Sequence, residues 1–254
     1  MINEQHIKQV FATYTNNYNP NDPKIALKIS HTYRVAEMCR EIAKSINMNE
    51  EEQQIAWAAG MLHDIGRFEQ IRIYNTFIDA ISVDHAEFGA DLLFTGERFI
   101  SSFIEDRQYD TQLEIAIREQ NKFRVREGLD DKTHAFCDIL RDADKIDIFR
   151  VNIETPMEEI YNTTSEAMKN AQVSEKVMEQ VQAHQTVTRD VRKSAIDSLI
   201  GHMALTFELV FPLSRKLALE QGYLMKLFEF QSDNEVTKKA IIETKNEVLG
   251  FLNI

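Results

Sequence analysis

The chain has 254 residues, with 29 basic and 41 acidic side chains and a formal charge of −12. That balance speaks against a nucleic-acid scaffold, which needs a basic surface to hold polyphosphate, and the sequence shows no Lys/Arg-rich run to supply one locally. Eight glycines and four prolines are too few for sandwiches and barrels, which turn roughly every 8–12 residues, while 43% apolar residues suffice for a sizeable core.

The amino-terminal MINEQHIKQVFATYTNNY lacks the basic start and apolar block of a signal peptide, and no apolar stretch approaches the ~20 residues that span a bilayer. A soluble cytoplasmic protein without a membrane partner is expected. That first segment predicts a short helix with Ile7, Val10, Phe11 and Tyr14 on one face. Asp22 can cap the next helix, with Pro23 in its first turn and a stripe of Ile25, Ile29, Val35, Met38 and Ile42 running to about Ile46. Asn49 with Glu52 three residues on reads as a capping box, opening a helix through Ile55, Ala58, Ala59 and Leu62 that stops near Asp64–Gly66. Residues 67–82 read as irregular, with Tyr74 and Phe77 expected in the core. Helices follow at 83–94, 111–120 and 133–150, with a loop at 123–132. Beyond Arg150 no linker, repeat or low-complexity tract intervenes, only further helices at about 155–171, 174–184, 187–209, 213–229 and 233–252. The expectation is one all-helical domain, 1–254, with a core at about 20–150 and a carboxy-terminal helical extension at 151–254. Cys39 and Cys137 match no metal or redox spacing and read as core fillers.

Several ionisable residues interrupt apolar helices. His63 and Asp64 end the very apolar IAWAAGMLHDIG, where burying an imidazole and a carboxylate together is costly unless each is hydrogen-bonded or coordinates something. His31, one helix earlier, can share a cleft with them if the two helices pack antiparallel. Asp142 and Asp144 interrupt ILRDADKIDIF in the same way, and His85 opens VDHAEFGADLLF. Asp142 is read as solvated or supporting, and His6, His134, His184 and His202 as structural or exposed.

The order His31, then His63-Asp64, then Asp144, with the strings MLHDIGRFEQ, SVDHAEFGADLLF and RDADKIDIFR, resembles the HD superfamily of metal-dependent phosphohydrolases, in particular bacterial cytoplasmic HD-domain hydrolases. The resemblance covers about residues 20–150. It implies an all-α HD-domain bundle, carrying additional C-terminal helices, in which His31, His63, Asp64 and Asp144 ligate one divalent cation. Such a mixed N/O set suits Mn, Fe, Co or Ni better than Mg or Zn. The implied reaction is hydrolysis of a small phosphate ester, such as a nucleotide, by attack of metal-bound hydroxide on phosphorus. Some HD families hold a second metal. His85 matches one of its histidines, but Gln120 and Asn121 stand where another is expected, so one tightly bound cation is expected and the second is left open.

Arg67, where related enzymes carry an acid or a lysine, cannot accept a proton at neutral pH and is suited to a phosphate oxygen; Lys145, next to Asp144, can do the same as a point charge. Asp64, Arg67 and Lys145 are therefore the residues expected to carry catalysis, with Arg67, Lys145 and Gln120 facing substrate. Two other readings remain: a degenerate HD domain that binds a nucleotide as a regulatory module, to which Gln120 points, and an HD-type nuclease, encouraged by the HDxG form and opposed by the charge.

Overall fold

Side-chain caps set where the helices begin in the computed structural model, which describes residues 2–253. Asn3 accepts from the His6 N–H and opens α1 (Glu4–Thr15). Asp22 accepts from the Lys24 N–H at the start of α2 (Pro23–Ser45), with Pro23 in its first turn. Asn49 and Glu52 supply both halves of the capping box that starts α3 (Glu50–Leu62). The starts of α2 and α3 lie where the sequence places them, because a cap is a local device that needs only the right residue at the right offset.

The chain then departs from expectation. It does not become irregular at Arg67: a two-residue break at His63 and Asp64 is followed directly by α4 (Ile65–Tyr74). Gly66 is a contact residue rather than a helix stop, since a Cβ there would stand 2.5 Å from the His85 carbonyl oxygen and 2.7 Å from the Gly89 nitrogen. That close approach lets α4 lie on the start of α5 (His85–Phe94), which Asp84 caps through the Ala86 and Glu87 N–H groups. Tyr74 is exposed and Phe77 half-buried, so neither is the core residue expected. α6 (Ile100–Phe103), α7 (Asp110–Glu119) and the long α8 (Asp131–Glu154) follow.

The chain divides into two compact units, Met1–Asp144 and Lys145–Ile254, the boundary falling inside α8. In the first, α2 packs along α3, and α5 packs on both α4 and α7. At Gly60 the α3 backbone touches α2 so closely that a Cβ would stand 2.5 Å from the Ala36 Cα. Trp57, Phe11, Phe68, Phe103 and Phe136 fill the interior, with Phe11 meeting Phe68 edge-on at 5.8 Å between ring centres. Cys39 and Cys137 are buried free thiols, as expected of core fillers.

In the second unit three long predicted helices are interrupted. The segment 155–171 is split into α9 (Met157–Tyr161) and α10 (Ser165–Asn170) by Asn162 in the left-handed region and Thr164 as the next cap. After α11 (Glu175–Gln182), the segment 187–209 holds only a 3₁₀ turn at Arg189–Val191, α12 (Ala195–Ala204) and a second 3₁₀ turn at Leu205–Glu208. Ser194 and Asp197 form a capping box at the start of α12 that apolar periodicity conceals. Gly222, with φ +74, separates α13 (Pro212–Glu220) from α14 (Tyr223–Leu227). α15 (Glu235–Phe251) packs on α11 and α12. No strand occurs among the described residues, and no helix is long and apolar enough to cross a membrane.

Candidate metal centre

The break at His63 and Asp64 is what assembles the centre. His63 is the C-cap of α3 and Asp64 the N-cap of α4, and the Asp64 side chain makes no capping bond there. It turns inward instead. The Gly60–Ala36 approach brings α3 onto α2, which carries His31, and the two imidazole Nε2 atoms stand 3.3 Å apart. Asp64 Oδ2 lies 3.5 Å from Nε2 of His31 and 3.4 Å from Nε2 of His63. From α8, Asp144 Oδ1 lies 3.0 Å and 3.8 Å from the same two nitrogens. His31, His63 and Asp64 are buried, and Asp144 is partly exposed.

This donor set fits a divalent cation. The His63 Nδ1–H donates to the Gly60 carbonyl oxygen at 2.7 Å, which leaves its Nε2 lone pair facing Asp64, as metal-ligating histidines are commonly oriented. His31, His63 and Asp64 each offer an atom within 4.8 Å of the others. Two imidazoles and two carboxylates form a mixed nitrogen and oxygen set of the kind that divalent metals accept.

A second group surrounds it. His85, buried at the start of α5, donates Nδ1–H to Asp79 Oδ2 at 2.7 Å and turns Nε2 toward Asp64 Oδ1 at 3.7 Å. Asp79, Asp84 and His85 also lie within 4.8 Å of one another, but Asp84 is already engaged as the α5 cap and by the Asn121 amide and Lys122 ammonium at 2.8 and 2.9 Å.

Arg67 Nη1 donates to Gln70 Oε1, the Phe77 carbonyl and Asp79 Oδ1 at 2.7–2.8 Å, while its Nε faces Asp64 Oδ1 at 3.7 Å. The fully buried Gln70 holds Asp79, Ser82 and the Val83 carbonyl from the other side, so α4 pins the segment leading to His85.

The Gln120 amide NH₂ donates to the His63 carbonyl at 2.7 Å, leaving its own carbonyl oxygen buried without a hydrogen-bond partner. Such an orphan is costly unless something outside the protein donates to it. Lys145 lies in the second unit and pairs there with Glu208 at 2.9 Å. Asp142 is fully buried, not solvated. His6, His134 and His184 bond to Ser102, Asp138 and Glu247, and His202 to Asn152, so all four serve in local contacts.

Sequence reasoning missed Lys28, Gln70 and Asp79. The Lys28 ammonium lies 2.6 Å from Asp64 Oδ2 and faces the Phe77 ring. Its signal was available, since it stands one helical turn before His31 and so shares its face. Asp79 and Gln70 carried none, because a partner contributed by non-periodic chain leaves no pattern.

Burial opposes ionisation of Asp64, but Lys28, His63 and Arg67 outweigh it and hold the carboxyl well below the usual range. Asp144 is lowered in the same way, with His31 and His63 overcoming burial. Burial and then the Arg67 charge push His85 down, against the pull of Asp79, so it is a neutral imidazole at pH 7.

A family model described as HD domain matches residues 29–149. Over 49 residues, 19% of this chain, the sequence is 37% identical to a 3'3'-cGAMP-specific phosphodiesterase 1 of Vibrio cholerae, and the chain spans about a tenth of that protein's length, 11%. No solved structure matches. Residues 29–149, just under half of the chain, are thus similar to the HD domain, a family usually of hydrolases, in agreement with the resemblance of the sequence motifs.

Proposed function

We propose that the chain hydrolyses a small phosphate ester at a single divalent cation held by His31, His63, Asp64 and Asp144. The observation that supports this most directly is the convergence of Nε2 of His31 and His63, 3.3 Å apart, on Asp64 Oδ2, with all three residues buried. When bound, such a cation supplies Lewis acidity toward a phosphoryl oxygen and toward water. The chain's own groups do the rest. Asp64 and Asp144, ionised well below neutrality, remain acceptors throughout the working range. Arg67 Nη2, which makes no hydrogen bond among the described residues, can take a non-bridging phosphate oxygen while Nη1 stays anchored. The Lys28 ammonium adds a second positive charge at the carboxylate edge. The orphaned Gln120 oxygen accepts from a substrate hydroxyl or an ordered water.

The relative's name makes phosphodiesters, cyclic dinucleotides among them, the first class to assay beside mononucleotides and generic phosphomonoesters. Metal content of protein purified without chelator, together with turnover of that panel in Mn, Co, Ni and Mg, tests the reading. One equivalent of transition metal and hydrolysis of at least one ester are expected, with both lost in Asp64→Asn and His63→Ala. Full turnover in either variant, or tight ligand binding with no hydrolysis in any metal, overturns it, the latter in favour of a regulatory module.

A further inference from the structure

The second unit carries a concentration of positive charge that a scan for basic runs passes over. Arg189, Arg192 and Lys193 fall within five residues of a chain whose net charge is −12. Among the described residues none of the three has a carboxylate within the 4.0 Å of an ion pair.

Arg192 is the unusual member. Its guanidinium lies flat against α12 at Gly201, where a Cβ would stand 2.8 Å from the Arg192 Cζ. Nη2 donates to the Val187 carbonyl at 2.6 Å, and Nε is buried with no partner. Burial, and next the charge of Arg189, push its pKa down. The side chain is half-buried, and the Asp197 and Glu208 carboxylates act on it only from beyond ion-pair distance, too weakly to offset burial; a guanidinium so placed is poorly compensated in a free protein. That is the ordinary arrangement for a site whose counter-charge is a ligand.

The neighbouring residue is consistent with that. His202 Nδ1–H and the Tyr161 hydroxyl both donate to Asn152 Oδ1, at 2.7 and 2.6 Å, while the Asn152 amide donates to the Ile148 carbonyl at 2.8 Å. This network fixes the amide orientation and the tautomer. His202 therefore keeps a lone pair on Nε2, which makes no hydrogen bond among the described residues. Burial and the Arg192 charge hold its pKa down to about 3, so it adds no positive charge of its own.

We propose that Arg192, with Arg189, forms a phosphoryl-binding site in the second unit, in which the half-buried guanidinium engages the anion and Gly201 gives it the room to lie against α12. A phosphoryl group is favoured over a carboxylate for its second negative charge, which two guanidinium groups can share, and for the planar, bidentate fit of arginine to its oxygens.

The test follows the His202 ring resonance, assigned with His202→Gln, in histidine-selective NMR of the full chain titrated with inorganic phosphate. A saturable shift is expected, absent with acetate or chloride at matched ionic strength. Arg192→Gln should weaken the apparent affinity by about tenfold or more, the loss of a charge-assisted bidentate contact. Gly201→Ala, which displaces the guanidinium, should weaken it as well, and Asp64→Asn should leave it unchanged, separating this site from the histidine–carboxylate cluster. Should Arg192→Gln not fold, Arg189→Gln, at an exposed position, carries the comparison. No shift with phosphate, an equal shift with acetate or chloride, or an affinity indifferent to the arginine variants overturns the proposal.

Discussion

Lys28 competes for the oxygen on which the candidate centre depends. Its ammonium sits 2.6 Å from Asp64 Oδ2, the atom that both imidazoles also face, so a cation entering there must displace it. Lys28→Met is expected to tighten metal binding by about tenfold, the scale of one nearby charge, and to lower turnover if the ammonium also meets substrate. Chelator competition reads the first effect, and unchanged or weaker binding would show that the lysine assists the cation. Asp79 acts at one remove, fixing the His85 ring through Nδ1 while Arg67 and Gln70 fix Asp79 itself. Asp79→Asn should cost about tenfold or more in activity, by loosening both the Arg67 guanidinium and the His85 ring that faces Asp64, and a variant with wild-type turnover would make the dyad incidental. His31, His63, Asp64 and Asp144 were legible in the sequence because each breaks an apolar helical stripe, in an order shared with a known family. Asp79 was not, because residues 75–84 are positioned by side-chain bonds to Arg67 and Gln70 rather than by any period of their own.

Among the helices, those announced by caps were readable and those joined by hidden breaks were not. The starts of α2 and α3 rest on Asp22 and Asn49. The single helix expected over 187–209 failed because Asp197 does work that no hydropathy pattern reports. It is fully buried, and its carboxylate accepts from the Ser174 N–H and hydroxyl at 2.7 Å each and from the Lys193 N–H at 2.8 Å, tying α11 and the entry to α12 together. Removing it strands several donors at once. Asp197→Ala is expected to destabilise the second unit by about 3 kcal/mol or more, at the upper end for lost hydrogen bonds to a charged group. Urea unfolding followed in that unit measures it, and a loss below about 1 kcal/mol would mean that water replaces the carboxylate.

For the molecule as a whole, acid stability turns on histidines held neutral. His202 is pushed down to about 3 from the ordinary 6.5, and His85 is also depressed. Below about pH 6.5 the unfolded chain takes up protons that the folded chain refuses, so stability rises with pH in this window and falls on acidification, by up to about 1.4 kcal/mol per pH unit for each such group. The depressed carboxylates of Asp64 and Asp144 act further down: their contribution is complete above the unfolded value near 4 and disappears as pH falls toward their folded values. Unfolding free energies between about pH 7 and 4.5 should therefore decline, and His202→Gln should flatten part of the slope. An identical slope in that variant would remove His202 from the account. The touch of Gly60 on Ala36, and of Gly66 on His85 and Gly89, has a consequence for inheritance. Neither glycine has any chemistry to perform, yet one added methyl at either would drive backbone from backbone and part the histidines. In a library of all single substitutions selected for function, positions 60 and 66 should tolerate as little as the four candidate ligands do, and a lineage that keeps the ligands is bound to keep these two hydrogens with them.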